Sequence, residues 1–298
     1  MKTTLSALIY PNKNSDFFKA YNKNQPFIVH NLKDSIKELM DLPFLSSLDS
    51  LLNSWPKSIQ AHLPDVRDEA SSIDTNPKDA KKLFENGMGL LFNQAHTLSP
   101  ILIKWLESLR KDLGLSLQTN SRCMVYATPK GSGTAPHFDQ NINFVLQLTG
   151  TKKWWIAPNV HVENPLTRHT MGLSPDAELE SYLEAPLPTK MPESVSAIEI
   201  KAGSLLFVPR GSWHSTEASS DALSLNFTFT APTWIDLFSA ALRSRLAQSS
   251  QWRETANGVS DPNKRGEAES RFETLLFDLI DDLPNWTASE ILQATENE

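Results

Sequence analysis

His137 and Asp139 stand two residues apart in TAPHFDQNINFVLQLTGTKKWWIAP, residues 134–158. In a β-strand, residues i and i+2 point to the same face, so an imidazole and a carboxylate converge there. The pair alone carries little weight in a chain with 7 histidines and 35 acidic residues. A third candidate ligand, His214, lies in GSLLFVPRGSWHST. There a strand ends at Pro209, a turn runs through Gly211 and a new strand starts near His214, much as His137 follows GSGTAP. Two histidines and one aspartate on adjoining strands can occupy one face of an octahedral ion and leave three positions open. That is the ligand set of non-haem Fe(II) centres.

Such ligands need strands to carry them. From 121 to 231 the runs RCMVYATP, NFVLQLTG, KKWWIAP, SAIEIKAGSLLFVPRG and ALSLNFTFTA are short, β-branched or aromatic, and separated by Gly and Pro. This texture predicts an antiparallel sandwich or barrel. An insertion rich in Pro, Glu and Ser interrupts it at 160–195, and loops that long inside a domain usually serve as lids or clamps. Residues 1–120 read as a mixed, mostly helical segment packing on the barrel. In SPILIKWLESLRKDLG, Ser99 caps, Pro100 suits the first turn, and Ile101, Leu102, Trp105, Leu106 and Leu109 form one stripe. QPFIVHNL predicts a short strand, and 55–90 reads as polar and turn-rich with a helix over PKDAKKLFENG. Residues 232–298 return to helix in TWIDLFSAALRSRLAQ, AESRFETLLFDLIDDL and TASEIL, the last with a capping box of Thr287 and Glu290. Their apolar stripes suit either capping of the barrel or a homodimer contact. The fold class expected is α+β with a mainly β core.

With 40% hydrophobic and 21% charged residues, the chain has an ordinary globular composition. Net charge is −7, which argues against a large nucleic-acid footprint. No apolar run approaches the ~20 residues of a membrane span, and the N-terminus lacks a signal-peptide core. The single cysteine, Cys123, fits a reducing compartment, so a cytoplasmic location is expected.

The segment 121–231 resembles the JmjC/cupin-type Fe(II)- and 2-oxoglutarate-dependent oxygenases. ATPKGSGTAPHFDQNINFVLQLTGTKKWW looks most like the ribosomal-oxygenase and asparaginyl-hydroxylase branch. The resemblance implies a double-stranded β-helix (jelly-roll or cupin) barrel with N-terminal helical elements and C-terminal helices. It implies Fe(II) on His137, Asp139 and His214, with 2-oxoglutarate and O2 as cosubstrates. Lys152 matches the family's basic partner of the distal 2-oxoglutarate carboxylate, and Thr134 its hydroxyl donor. Asn143 and Asn226 match amides near the cosubstrate, and Tyr126 adds a phenol at that end. The implied reaction hydroxylates a C–H of a protein, peptide or small-molecule substrate and releases succinate and CO2. The branch's winged-helix domain is not recognisable here, so the resemblance leaves the substrate open.

Blander readings stand beside these. Lys152 and Lys153 are adjacent, so one of them is a solvated turn residue. Trp154 and Trp155 alternate across a strand, which puts one in packing. Arg168, His161 and His169 in the insertion read as a polar surface. A non-oxygenase metal cupin (an isomerase or ligand-binding module) and a non-catalytic scaffold are the alternatives from other functional classes.

Overall fold

The computed structural model describes residues 3–63 and 71–296. Of the polar stretch 55–90, residues 64–70 lie outside the described residues. Contacts divide the chain into two compact units, 1–115 with 120–230, and 116–119 with 231–298.

The first unit opens with α1 (Thr4–Leu8), α2 (Asn14–Asn22), β1 (Phe27–Val29), α3 (Lys37–Met40) and α4 (Leu48–Ser54). Strands β2 (Ile59–His62) and β3 (Ser72–Thr75), α5 (Pro77–Glu85), β4 (Gly89–Phe92) and α6 (Pro100–Asp112) follow. Next come β5 (Asn120–Thr128), β6 (Gly133–Phe138), β7 (Ile142–Thr149) and β8 (Thr151–Ala157). The insertion holds β9 (His169–Thr170) and α7 (Ala177–Glu180). Strands β10 (Ile198–Lys201), β11 (Leu205–Val208), β12 (Trp213–Ala218) and β13 (Ala222–Thr230) complete the unit. Two antiparallel sheets result, ordered β1-β11-β7-β13-β5-β4-β2-β3 and β10-β8-β12-β6-β9. This is the mainly β, jelly-roll architecture expected.

Period-2 alternation sorts the strands' side chains. On β5, Cys123, Val125 and Ala127 enter the main core, while Arg122, Met124 and Tyr126 line a cavity. On β13, Leu225, Phe227 and Phe229 enter the same core, while Ser224, Asn226 and Thr228 face the cavity. Helix α6 begins where Ser99 Oγ accepts from Ile101 N at 3.2 Å, and it buries Leu102, Trp105, Leu106 and Leu109. The strand expected in QPFIVHNL is β1, which pairs with β11, but the N-terminal part also adds strands that a mostly helical reading passes over: β4 joins β2 and β3 to β5. Strands β2, β3 and β4 have four residues each, too few for alternation to stand out from turns.

One glycine fixes the site's geometry at the β7–β8 turn. Gly150 adopts φ +70°, and a Cβ there would lie 2.0 Å from the carbonyl oxygen of Asp221. Only glycine fits both demands, and the tight turn sets the register that carries Lys152.

The second unit comprises α8 (Trp234–Leu246), α9 (Arg265–Asp282) and α10 (Ala288–Glu296). Thr287 and Glu290 form the expected reciprocal cap. Arg245 grips Asp282 with Nε at 2.8 Å and Nη2 at 2.6 Å. The stripe on α8 does not become a core: no α8 residue is buried, and Trp234 is 78% exposed.

Candidate metal centre and cosubstrate cavity

The three candidate ligands meet. The nearest ligand atoms of His137, Asp139 and His214 all lie within 4.8 Å of one another. The two imidazole centroids are 4.2 Å apart, and His214 Nε2 is 3.7 Å from Asp139 Oδ2. Each histidine is aimed by its own chain. The Nδ1 of His137 lies 2.7 Å from the carbonyl oxygen of Ala135, and that of His214 2.9 Å from Ser212 O. A carbonyl oxygen only accepts, so both Nδ1 atoms carry the proton and both Nε2 lone pairs are left for a metal.

The charges suit a divalent ion. Burial, followed by the neighbouring His137, holds the His214 imidazole well below its ordinary pKa, so it is neutral at neutral pH. Burial works to raise the Asp139 carboxyl, but His137, His214, Arg168 and the hydrogen bond from Asn143 outweigh it and hold the carboxyl below its ordinary range. The neutral His214 imidazole, the His137 imidazole and a carboxylate, with no thiolate beside them among the described residues, are borderline-to-hard donors that fit Fe(II).

A cavity of about 220 Å³ opens from these ligands, lined by side chains of both sheets. Thr134, Asn143, Lys152, Asn226 and Tyr126 all line it. Lys152 is buried, and its Nζ donates to Thr128 Oγ1 at 2.9 Å. Burial pushes its pKa down to about 8. Lys153 points to the other face, opposite Glu199 on β10 and Glu217 on β12. Thr134 Oγ1 lies 3.0 Å from Thr216 Oγ1. Asn226 Oδ1 is buried with no hydrogen-bond partner among the described residues, the kind of orphaned acceptor that a ligand or water satisfies.

Strict alternation would put Thr134 and His137 on opposite faces of β6. They share the cavity because the β6–β12 ladder is irregular: His214 pairs with His137, but Thr216 pairs with Thr134. Three steps on one strand thus match two on the other, the signature of a β-bulge, which re-aims side chains beside functional sites.

Asn143 serves the candidate ligand Asp139 more than the far end of the cavity. Its Nδ2 donates to Asp139 Oδ2 at 3.4 Å, and its Oδ1 accepts from Thr228 at 2.6 Å. Groups that orient a ligand typically contribute 10–100-fold to metal affinity. Asn143→Ala should therefore weaken Mn(II) binding by about that factor, measured by titration of the free-ion EPR signal. Unchanged affinity would remove Asn143 from the site's support.

Several participants are not evident from sequence. Trp154 stacks on His214 at 5.9 Å and 22°, whereas the tandem tryptophans read simply as packing. Thr216 sits two residues after His214 on β12, so strand parity alone would have found it. Arg168, read as part of a polar surface, instead places Nε 3.4 Å from Asp139 Oδ1. Nothing in the spacing announces that contact, because the insertion has to fold back to make it. His169 is buried against Phe138 and Trp213 and lies outside the cavity lining.

Known proteins resemble this chain in sequence and fold. Residues 105–237 match the family model of the JmjC domain. The chain is 27% identical over 305 residues to the uncharacterized protein YxbC of Bacillus subtilis, covering 100% of this chain and 92% of that one. It is 31% identical over 170 residues to ribosomal oxygenase 1 of Rattus norvegicus, covering 56% of this chain and 26% of that one. A protein of Dictyostelium discoideum, the bifunctional lysine-specific demethylase and histidyl-hydroxylase NO66, is 32% identical over 44% of this chain and 25% of its own length. These last two matches therefore span about a quarter of each relative. Among solved structures, E. coli ycfD shares the fold with TM-score 0.55 and 16% identity, over 90% of this chain and 68% of that one.

Proposed function

On the premise of the JmjC-domain match over residues 105–237, we propose that the chain is an Fe(II)- and 2-oxoglutarate-dependent oxygenase that hydroxylates a C–H bond of a protein side chain. The observation that carries this reading is the shared cavity: a two-histidine, one-aspartate face at one end and a buried lysine with threonine hydroxyls at the other. A 2-oxo acid with a distal carboxylate needs both ends. The bound iron, with 2-oxoglutarate and O2, supplies the oxidation that yields succinate, CO2 and a hydroxylated product.

The chain's own residues do the rest. His137, Asp139 and His214 would hold an Fe(II) ion and would leave its other positions to the cosubstrates. Lys152 is the cation for the distal carboxylate, and Thr134 and Tyr126 offer hydroxyls beside it. Asn226 presents its unpartnered carbonyl to whatever occupies the middle of the cavity. Trp154 shields the His214 side from water. A protein substrate is favoured by the acidic net charge of −7, which complements basic partners, and by the names of the relatives. The exposed apolar side chains of α8 and α9, Trp234, Phe238 and Phe277 among them, support self-association through the C-terminal helices.

The test is anaerobic titration of Mn(II)-loaded protein with 2-oxoglutarate, followed by a search for protein substrates gaining one oxygen atom. Folded, metal-loaded protein that fails to bind 2-oxoglutarate would sink the oxygenase reading. The depressed Lys152 pKa adds a second expectation. A lysine lowered to about 8 is charged below that pH and neutral above it, and only the ammonium pairs with a carboxylate. The dissociation constant for 2-oxoglutarate should hold steady below about pH 8 and rise roughly tenfold per unit above it. Calorimetry across that range checks this, and a flat profile would release Lys152 from the role.

A further inference from the structure

The two oxygens of Asp139 face different partners. Oδ2 lies toward the metal position, 3.7 Å from His214 Nε2 and 3.4 Å from Asn143 Nδ2. Oδ1 lies 3.4 Å from Arg168 Nε. We propose that Arg168 is a positioning residue that reserves Oδ1 and so holds Asp139 as a one-oxygen ligand. The proposal rests on the metal-site reading above.

The reason lies in coordination number. A carboxylate binds a metal through one oxygen or two. With both engaged, Asp139 would occupy one of the three positions the facial set leaves open. A chelating 2-oxo acid and O2 together need all three. Something must therefore keep the second oxygen away from the ion, and a guanidinium is well suited because it offers directional donors and keeps its charge.

Arg168 is built into place for this. Its Nη1 donates to Thr170 Oγ1 at 2.9 Å. Thr170 is buried on β9 and pairs directly with His137 on β6, and Met171 N donates to Pro136 O at 2.8 Å. The arginine is thus referenced to the strand that carries His137 and ends just before Asp139. On the far side, Arg210 donates to Pro165 O from Nε at 3.2 Å and Nη2 at 2.8 Å. Beside it, Gly211 N donates to Asp139 O at 2.8 Å. The insertion, the turn before β12 and Asp139 are therefore tied together, and seating of the insertion and the ligation mode of Asp139 become one equilibrium.

Metal affinity alone is a poor readout, because a guanidinium also repels a dication. Removing it therefore has two opposed effects. The number of metal-bound waters is unambiguous. Mn(II)-loaded wild type, Arg168→Ala and Arg168→Lys would be compared in 17O-enriched water by EPR line broadening. Wild type should show three exchangeable waters and Arg168→Ala two, with 2-oxoglutarate affinity falling about tenfold or more. Arg168→Lys, which keeps a cation against Oδ1, should return the count toward three. Three waters in all proteins would overturn the proposal and leave Arg168 as an anchor of the insertion. Should Arg168→Ala misfold, Arg168→Met, which keeps the bulk without charge or donors, takes its place: two waters are expected, and three would overturn the proposal. Wild type that binds no Mn(II) would overturn the metal site itself, a result distinct from equal water counts.

Discussion

Asp139→Ala protein should bind Mn(II) at least about 10³-fold more weakly than wild type and produce no succinate from 2-oxoglutarate. Removing a residue that merely orients a ligand costs about 10–100-fold in metal affinity, so losing the only anionic ligand must exceed that. Two effects act in the same direction. The ion loses a charged donor, leaving two neutral imidazoles. The Arg168 guanidinium, 3.4 Å from the carboxylate, is left without its partner beside the dication and adds repulsion. The fold should survive, because Asp139 follows the end of β6 and its backbone bond to Gly211 does not need the side chain. Mn(II) EPR and succinate quantification are the measurements; wild-type affinity in the variant would remove the triad from consideration.

The second large effect separates two adjacent lysines. Lys152→Ala should raise the 2-oxoglutarate dissociation constant about 100-fold, while Lys153→Ala should leave it within about twofold. Truncating one partner of a buried, hydrogen-bonded charge pair costs about 2–5 kcal/mol, and 1.4 kcal/mol is tenfold. Lys152 is 5% exposed and lines the cavity. Lys153 faces Glu199 and Glu217 on the other side of the sheet, where such pairs contribute about 0–1 kcal/mol. Thermal stability should not fall in Lys152→Ala, because removing a desolvated ammonium offsets the lost packing. Calorimetry with both variants decides the matter; equal losses, or the reverse order, would move the cosubstrate away from Lys152.

Much of the site was legible because strand parity is a hard constraint. His137 and Asp139 follow from i, i+2 spacing, and Gly150 marks the turn that puts Lys152 and Trp154 on one face. Parity fails for Thr134, where the bulge opposite Thr216 shifts the face by one residue. Bulges leave no compositional trace here, so resemblance alone pointed to Thr134. Arg168 was illegible for a different reason: its contact with Asp139 depends on how an irregular insertion closes, and no periodicity governs that. In the fold, the barrel strands announced themselves through β-branched and aromatic runs. The four-residue strands β2, β3 and β4 did not, since their pairing with β5 comes from the sheet edge that receives them. The α8 stripe marked a helix correctly, yet amphipathicity says nothing about which surface covers it.

Each of the two candidate-ligand imidazoles is fixed by a carbonyl just two residues earlier in the chain. Ring orientation is therefore inherited from local backbone rather than imposed by an ion. Binding an ion freezes few side-chain rotors, so little conformational entropy is lost when one arrives. In domains where coordination and folding are the same event, stripping the metal unravels the chain. With both rings held by backbone carbonyls, the proposed ligands should keep their orientation whichever divalent ion they meet, and exchange of one ion for another would be substitution at preset angles. Discrimination among metals then falls to donor chemistry and supply, with the polypeptide acting as a rigid template.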